Sequence, residues 1–164
     1  MRNLMLSLAA VAIVCALAIR VLAADPTAAD QATLRHLQQL GRASLMYCNE
    51  NRGFLPSTWS QTLKYVQSAD VYLDPRLGSK APANWDEMTD DQKQAWVADH
   101  CEFDLAPAAG QKITKLKPIS ASVLATTRKI PGQPTITLFA DGRAQIDGSG
   151  VEPASLPPPP ATQQ

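Results

Sequence analysis

Between Asp30 and Asn51 the positions Leu34, Leu37, Gly41, Leu45 and Cys48 recur at steps of three, four, four and three, so they line one face of a helix. Arg35, Gln38, Gln39, Arg42 and Glu50 fall mainly on other faces. Thr27 or Asp30 supplies a capping side chain at the start. A helix of about 20 residues is about 30 Å long at about 1.5 Å per residue, and an element of that length dominates any domain built on it. Gly41, in its middle, costs about 1 kcal/mol of helix propensity relative to alanine, so the sequence predicts a close neighbour there. Asn49, Asn51 and Gly53 tolerate the left-handed conformation that closes a helix, and Pro56 forbids its continuation. Phe54 and Leu55 are then placed to fold back as an apolar cover.

Downstream, Ser57 or Thr58 caps a short helix carrying Trp59, Leu63 and Val66, and "DVYLDPRLG" reads as an extended piece and a turn. Residues 76–100 are loop-like, with a helical turn or two. Thr89 and Gln92 have the spacing of a capping box, with Asp90 and Asp91 in the first turn and Trp96 and Val97 to bury. The C-terminal half changes character. "SASVLATTR" reads as a strand. In "PTITLFADGRAQID", Ile136, Leu138 and Ala140 alternate with Thr135, Thr137 and Phe139. Asp141-Gly142 is expected as a two-residue type I′ hairpin turn, with Arg143 to Ile146 returning. The fold class expected is α+β: a long N-terminal helix packed on a small antiparallel sheet, with an irregular, loop-rich middle.

The ends have other roles. Residues 1–23 hold one early cation, Arg2, and a mostly apolar run from Leu4 to Ile19. Val21-Leu22-Ala23 fits the small-residue rule of a leader peptidase, with cleavage between Ala23 and Ala24. Sixteen such residues are short for a span of about 20; a retained N-terminal anchor is the alternative to a cleaved signal. A globular domain over 25–148 follows. Residues 149–164 are rich in proline, with the run Pro157–Pro160, and are expected as a polyproline II-like, disordered tail. Cleavage removes Arg2 and Arg20, so 15 Lys and Arg become 13 against 15 acids, a charge of −2. That balance argues against nucleic acid. The location expected is periplasmic or secreted, with contact to the inner membrane only if the segment is retained.

After cleavage two cysteines remain, Cys48 and Cys101. In an oxidising compartment they are expected to pair as a disulfide, closing a loop worth about 4 kcal/mol of chain entropy; two separate buried thiols are the alternative. No cofactor and no metal are expected. His36 and His100 are the only histidines. Asp86, Glu87, Asp90, Asp91 and Asp99 crowd one segment without the Asp-x-Asp-x-Asp-Gly pattern of a calcium loop, and a solvated acidic face accounts for them. The sequence contains no Gly-x-Ser-x-Gly, His-Glu-x-x-His or phosphate loop, and no enzyme is expected. Asp141 has no local catalytic partner and reads as turn chemistry.

Three landmarks stand in order over Leu34–Asp147. The helix carries Leu40-Gly41, Met46-Tyr47, Asn49 and Asn51 and ends through Gly53 to Pro56. "TLKYVQSADVYLDPRLG" follows, and then "PTITLFADGRAQID". In these the chain resembles the globular part of type IV pilins and type II secretion pseudopilins, closest to a bacterial group with a C-terminal Phe-Ala-Asp-Gly hairpin. Asp74-Pro75 stands where that group usually has Cys-Pro, and Pro131 where many of its members have histidine. The prepilin Gly-Phe-Thr-Leu-x-Glu is missing, and with it the glutamate that sets subunit register. The resemblance implies an exported, non-catalytic protein working in secretion, surface assembly or protein contact. A small extracytoplasmic ligand- or calcium-binding module is the alternative. Its protein partner is not specified by the sequence, and the processed chain is expected to be a monomer or weak dimer.

Overall fold

The structure, a computed structural model, describes residues 26–147. The expected leader, its cleavage site at Ala23 and Ala24, and the proline-rich tail lie outside the described residues. Among the described residues no helix is long and apolar enough to cross a membrane.

The long helix, α1, spans Ala28–Glu50. Both candidate caps act together: Thr27 Oγ1 accepts from the Asp30 N–H, and the Asp30 carboxylate accepts from the Thr27 N–H at 2.8 Å. At the other end the Asn51 side chain donates to the Tyr47 carbonyl at 2.8 Å and the Gly53 N–H to that of Cys48 at 2.9 Å. These bonds satisfy carbonyls that the helix leaves open. The left-handed residues are Arg52 (φ 55°) and Gly53 (φ 83°), while Asn51 stays at φ −112°. Leu55 turns back into the core, whereas Phe54 remains 45% exposed, so only one of the two residues serves as cover.

The middle is built of short 3₁₀ turns. Trp59–Tyr65 forms the first, begun where Gln61 Oε1 accepts from the N–H groups of Ser57 and Thr58. Ala69–Tyr72 forms the second, where an extended piece was expected. The second α-helix, α2, spans Asp90–His100, and its Thr89–Gln92 capping box is formed reciprocally. Four strands follow: β1 (Phe103–Leu105), β2 (Val123–Thr127), β3 (Ile136–Phe139) and β4 (Ala144–Ile146). They make one sheet in the order β1-β2-β3-β4, every neighbour antiparallel. The fold is α+β, with a long helix on a small antiparallel sheet.

The sheet meets α1 through Ile136, Leu138 and Ile146, all buried. The helix also packs against the two 3₁₀ turns. Covered on two sides, it buries Thr33, Leu40, Ala43 and Ser44 as well as Leu37, Gly41 and Cys48, a wider face than one apolar stripe. Leu34 and Leu45 are only half-buried. The neighbour required by Gly41 is the hairpin turn between β3 and β4. A β-carbon on Gly41 would lie 2.7 Å from the Gly142 carbonyl oxygen and 2.9 Å from Leu138 Cδ1.

That turn corrects the type I′ expectation. Phe139 pairs with Arg143, and the Gly142 N–H donates to the Phe139 carbonyl at 2.9 Å. The loop is therefore three residues, Ala140 to Gly142, and only Gly142 has positive φ, at +84°. A type I turn closed by a left-handed glycine fits this geometry, whereas type I′ needs two residues with positive φ. Asp141 Oδ1 accepts from the Arg143 N–H at 3.1 Å and its Oδ2 from Arg143 Nε at 2.7 Å. Its side chain thus serves the turn.

Candidate functional site

The described residues enclose an internal cluster of charge. Asp74 lies in the turn after the second 3₁₀ segment and is fully buried. Its Oδ2 accepts from Arg76 Nη2 at 2.6 Å, and its Oδ1 from Arg76 Nε at 2.9 Å and Thr33 Oγ1 at 2.7 Å. Arg76 Nη1 donates to the Pro134 carbonyl at 2.7 Å and reaches Asp30 Oδ1 at 3.5 Å. Glu102 joins from the start of β1. It accepts the Asp74 N–H at 2.6 Å and the Ser79 hydroxyl. One guanidinium therefore ties together the first turn of α1, the 73–79 turn and the segment leading into β3. Burial pushes the Asp74 carboxyl up, but hydrogen bonds from Arg76 and Thr33 outweigh it and hold the group below its ordinary range. The Arg76 side chain is 1% exposed, so the cluster is sealed by its own neighbours and presents no surface to a ligand.

The cysteine pairing is corrected. Cys48 and Cys101 are both free thiols. Each has its own surroundings: Cys48 is packed in the core on the last turn of α1, and the Cys101 thiol faces the Phe103 carbonyl at 3.9 Å. Burial raises both thiols, that of Cys101 to about 12. Both therefore stay protonated, which suppresses thiolate chemistry.

Among the described residues no three His, Cys, Asp or Glu side chains gather where they could hold a metal ion. Asp90 and Asp91 sit in the first turn of α2, where they complement its dipole. His36 Nδ1 is 2.9 Å from the Leu73 carbonyl. The other histidine, His100, stacks on Trp96 with ring centroids 5.0 Å apart. The two imidazoles thus serve separate local contacts.

Two surface depressions lie among the described residues, and no sequence pattern outlined them. One, of about 380 Å³, runs beside α1 at Gln39, Arg42 and Met46, opposite Tyr65, Val66 and Val71. The other, of about 580 Å³, lies between the first 3₁₀ turn and the start of α2, at Leu63, Lys64, Trp85 and Lys93. Val66 and Gln67 line both. Met46, expected only as part of a helix landmark, is 51% exposed in the first depression. Its position off the Leu37–Gly41–Cys48 face is the one signal that pointed outward. Comparison with protein-family models, curated proteins and solved structures returns no match.

Proposed function

We propose that this chain is an exported, non-catalytic, pseudopilin-like protein that works by protein contact in secretion or surface assembly. The observation that carries the reading is the seating of the Phe139–Gly142 hairpin on the middle of α1, glycine to glycine. It makes two of the sequence landmarks of the resembled family, Leu40-Gly41 and Phe-Ala-Asp-Gly, parts of one packing contact. The open depressions beside α1 and α2 add exposed surface suited to a partner.

The test is made on the native product. Cells are fractionated and the mature N-terminus is read by mass spectrometry, with partners identified by cross-linking in intact cells. A chain beginning at Ala24 or Asp25 outside the cytoplasm, cross-linked to a defined component of a secretion or surface-assembly machine, is the expected result. A chain with an intact Met1 held in the membrane fraction would place the same function at the inner membrane. A full-length chain free in the cytoplasm would overturn the proposal.

A further inference from the structure

The two depressions meet at Val66 and Gln67, so they form one bent strip from α1 to the first turn of α2. Its apolar positions include Met46, Leu63, Val66, Val71 and Trp85. Its polar positions include four amides, Gln39, Gln61, Gln67 and Gln94. Gln61 Oε1 is taken up by the cap of the first 3₁₀ turn, while Gln39, Gln67 and Gln94 each offer donors and an acceptor without charge. That is the hydrogen-bonding character of a peptide backbone, so the strip suits an extended segment better than a compact charged metabolite.

Charge gives the strip a direction. At the α2 end, Lys64 and Lys93 stand with Asp86 and Asp90. Lys64 is also paired with Glu50 at 2.6 Å, and Lys93 lies over the Trp85 ring at 5.4 Å. At the α1 end the lining holds Arg42 and no carboxylate. Arg42 is exposed and makes no hydrogen bond or ion pair among the described residues. It stands one helical turn from Met46, the most exposed large apolar side chain among the described residues. An unpaired guanidinium beside an adaptable thioether selects a carboxylate next to an apolar side chain.

We propose that this strip docks an extended segment of a partner protein, with an Asp or Glu against Arg42 and an apolar side chain on Met46 and Val66. The inference rests on the protein-contact reading above and assigns the surface that carries it. Arg42 is exposed and unpaired, so its replacement leaves the fold intact and isolates recognition.

The probes are fluorescein-labelled dodecapeptide pools of alternating apolar and Ser/Thr positions, with one fixed central Asp, or Lys in its place. Fluorescence polarisation is read against the full-length protein. The Asp pool should bind saturably, and about tenfold more tightly than the Lys pool. Arg42→Glu should invert that order, and Met46→Asp should abolish binding, both with unchanged circular dichroism. No saturable signal from either pool, or an Asp preference that survives Arg42→Glu, overturns the assignment. If in-cell cross-linking to a defined partner persists in the Arg42→Glu protein, contact is made elsewhere, so this inference fails while the function proposed above stands.

Discussion

Gly41→Ala tests the packing on which the fold turns. The substitution should favour the helix by about 1 kcal/mol through propensity alone. Against this, the new methyl would sit 2.7 Å from the Gly142 carbonyl oxygen, 2.9 Å from Leu138 Cδ1 and 3.0 Å from Gly142 Cα. All three lie well inside the optimum of about 3.5–4.0 Å between non-bonded carbons. Leu138 can rotate, but the two Gly142 atoms are backbone. Gly142 is itself held at φ +84° by the turn, so relief requires moving the hairpin off the helix. Overpacking of this kind costs about 1–3 kcal/mol, and the backbone contact places it in the upper part of that range. The net loss is about 1–2 kcal/mol, which for a domain of this size lowers the melting temperature by about 4–8 °C. Thermal unfolding followed by circular dichroism measures it. Gln39→Ala, on the exposed side of the same helix, should stay within about 0.5 kcal/mol of the parent. In a Leu138→Val background the cost of Gly41→Ala should shrink without vanishing, because the backbone contact remains. A Gly41→Ala protein as stable as the parent, or more so, would refute the reasoning, since propensity alone would then govern the site.

Arg76→Met leaves Asp74 and Asp30 buried without their cation and should cost about 3–5 kcal/mol in urea denaturation; a loss below about 1 kcal/mol would show that the cluster is not a structural tie. The same cluster sets an acid dependence. The folded Asp74 carboxyl titrates below its unfolded value of about 3.9. Its contribution is therefore complete above about pH 4 and is lost as pH falls further, so Asp74→Asn should flatten the fall of melting temperature below pH 4. Ser44 Oγ is buried and has no hydrogen-bond partner among the described residues. Ser44→Ala should therefore be neutral or stabilising by about 1 kcal/mol, and a clear destabilisation would reveal a bond to that hydroxyl. Cys48 and Cys101 should resist Ellman's reagent in the native protein and both react on unfolding without reductant; failure to react once unfolded would mean that they are bridged.

How much of this was legible depends on how local each cause is. The caps of α1 and α2, the β3–β4 hairpin and the demand of Gly41 for a close neighbour are written within a few residues of where they act. The hairpin was misread by one loop residue, because Asp-Gly serves both two- and three-residue turns and only the pairing of Phe139 with Arg143 decides between them. β1 was missed because Phe-Asp-Leu is too short to show alternation. The helix face was drawn too narrow because its second side is covered by 3₁₀ turns, which bring polar Thr33 and Ser44 inside along with Leu40. The surface strip takes its residues from three separate segments, so no pattern along the chain could outline it.

The charge cluster is the case in which sequence order hides the cause altogether. "Asp-Pro-Arg" reads as a turn, yet Thr33 and Asp30 lie more than 40 residues before it and Pro134 58 residues after Arg76. Here a buried carboxylate–guanidinium pair makes the link, while Cys48 and Cys101, both free thiols, lie elsewhere. A cross-link made of charge tolerates either redox state, but acid weakens it. It also bears on processing. The bonds named for Asp30 come from Thr27 and Arg76. A chain cut before Ala24 or Asp25 keeps both donors. The first turn of α1 is thus held by contacts within the described residues, which a cut at either position leaves in place.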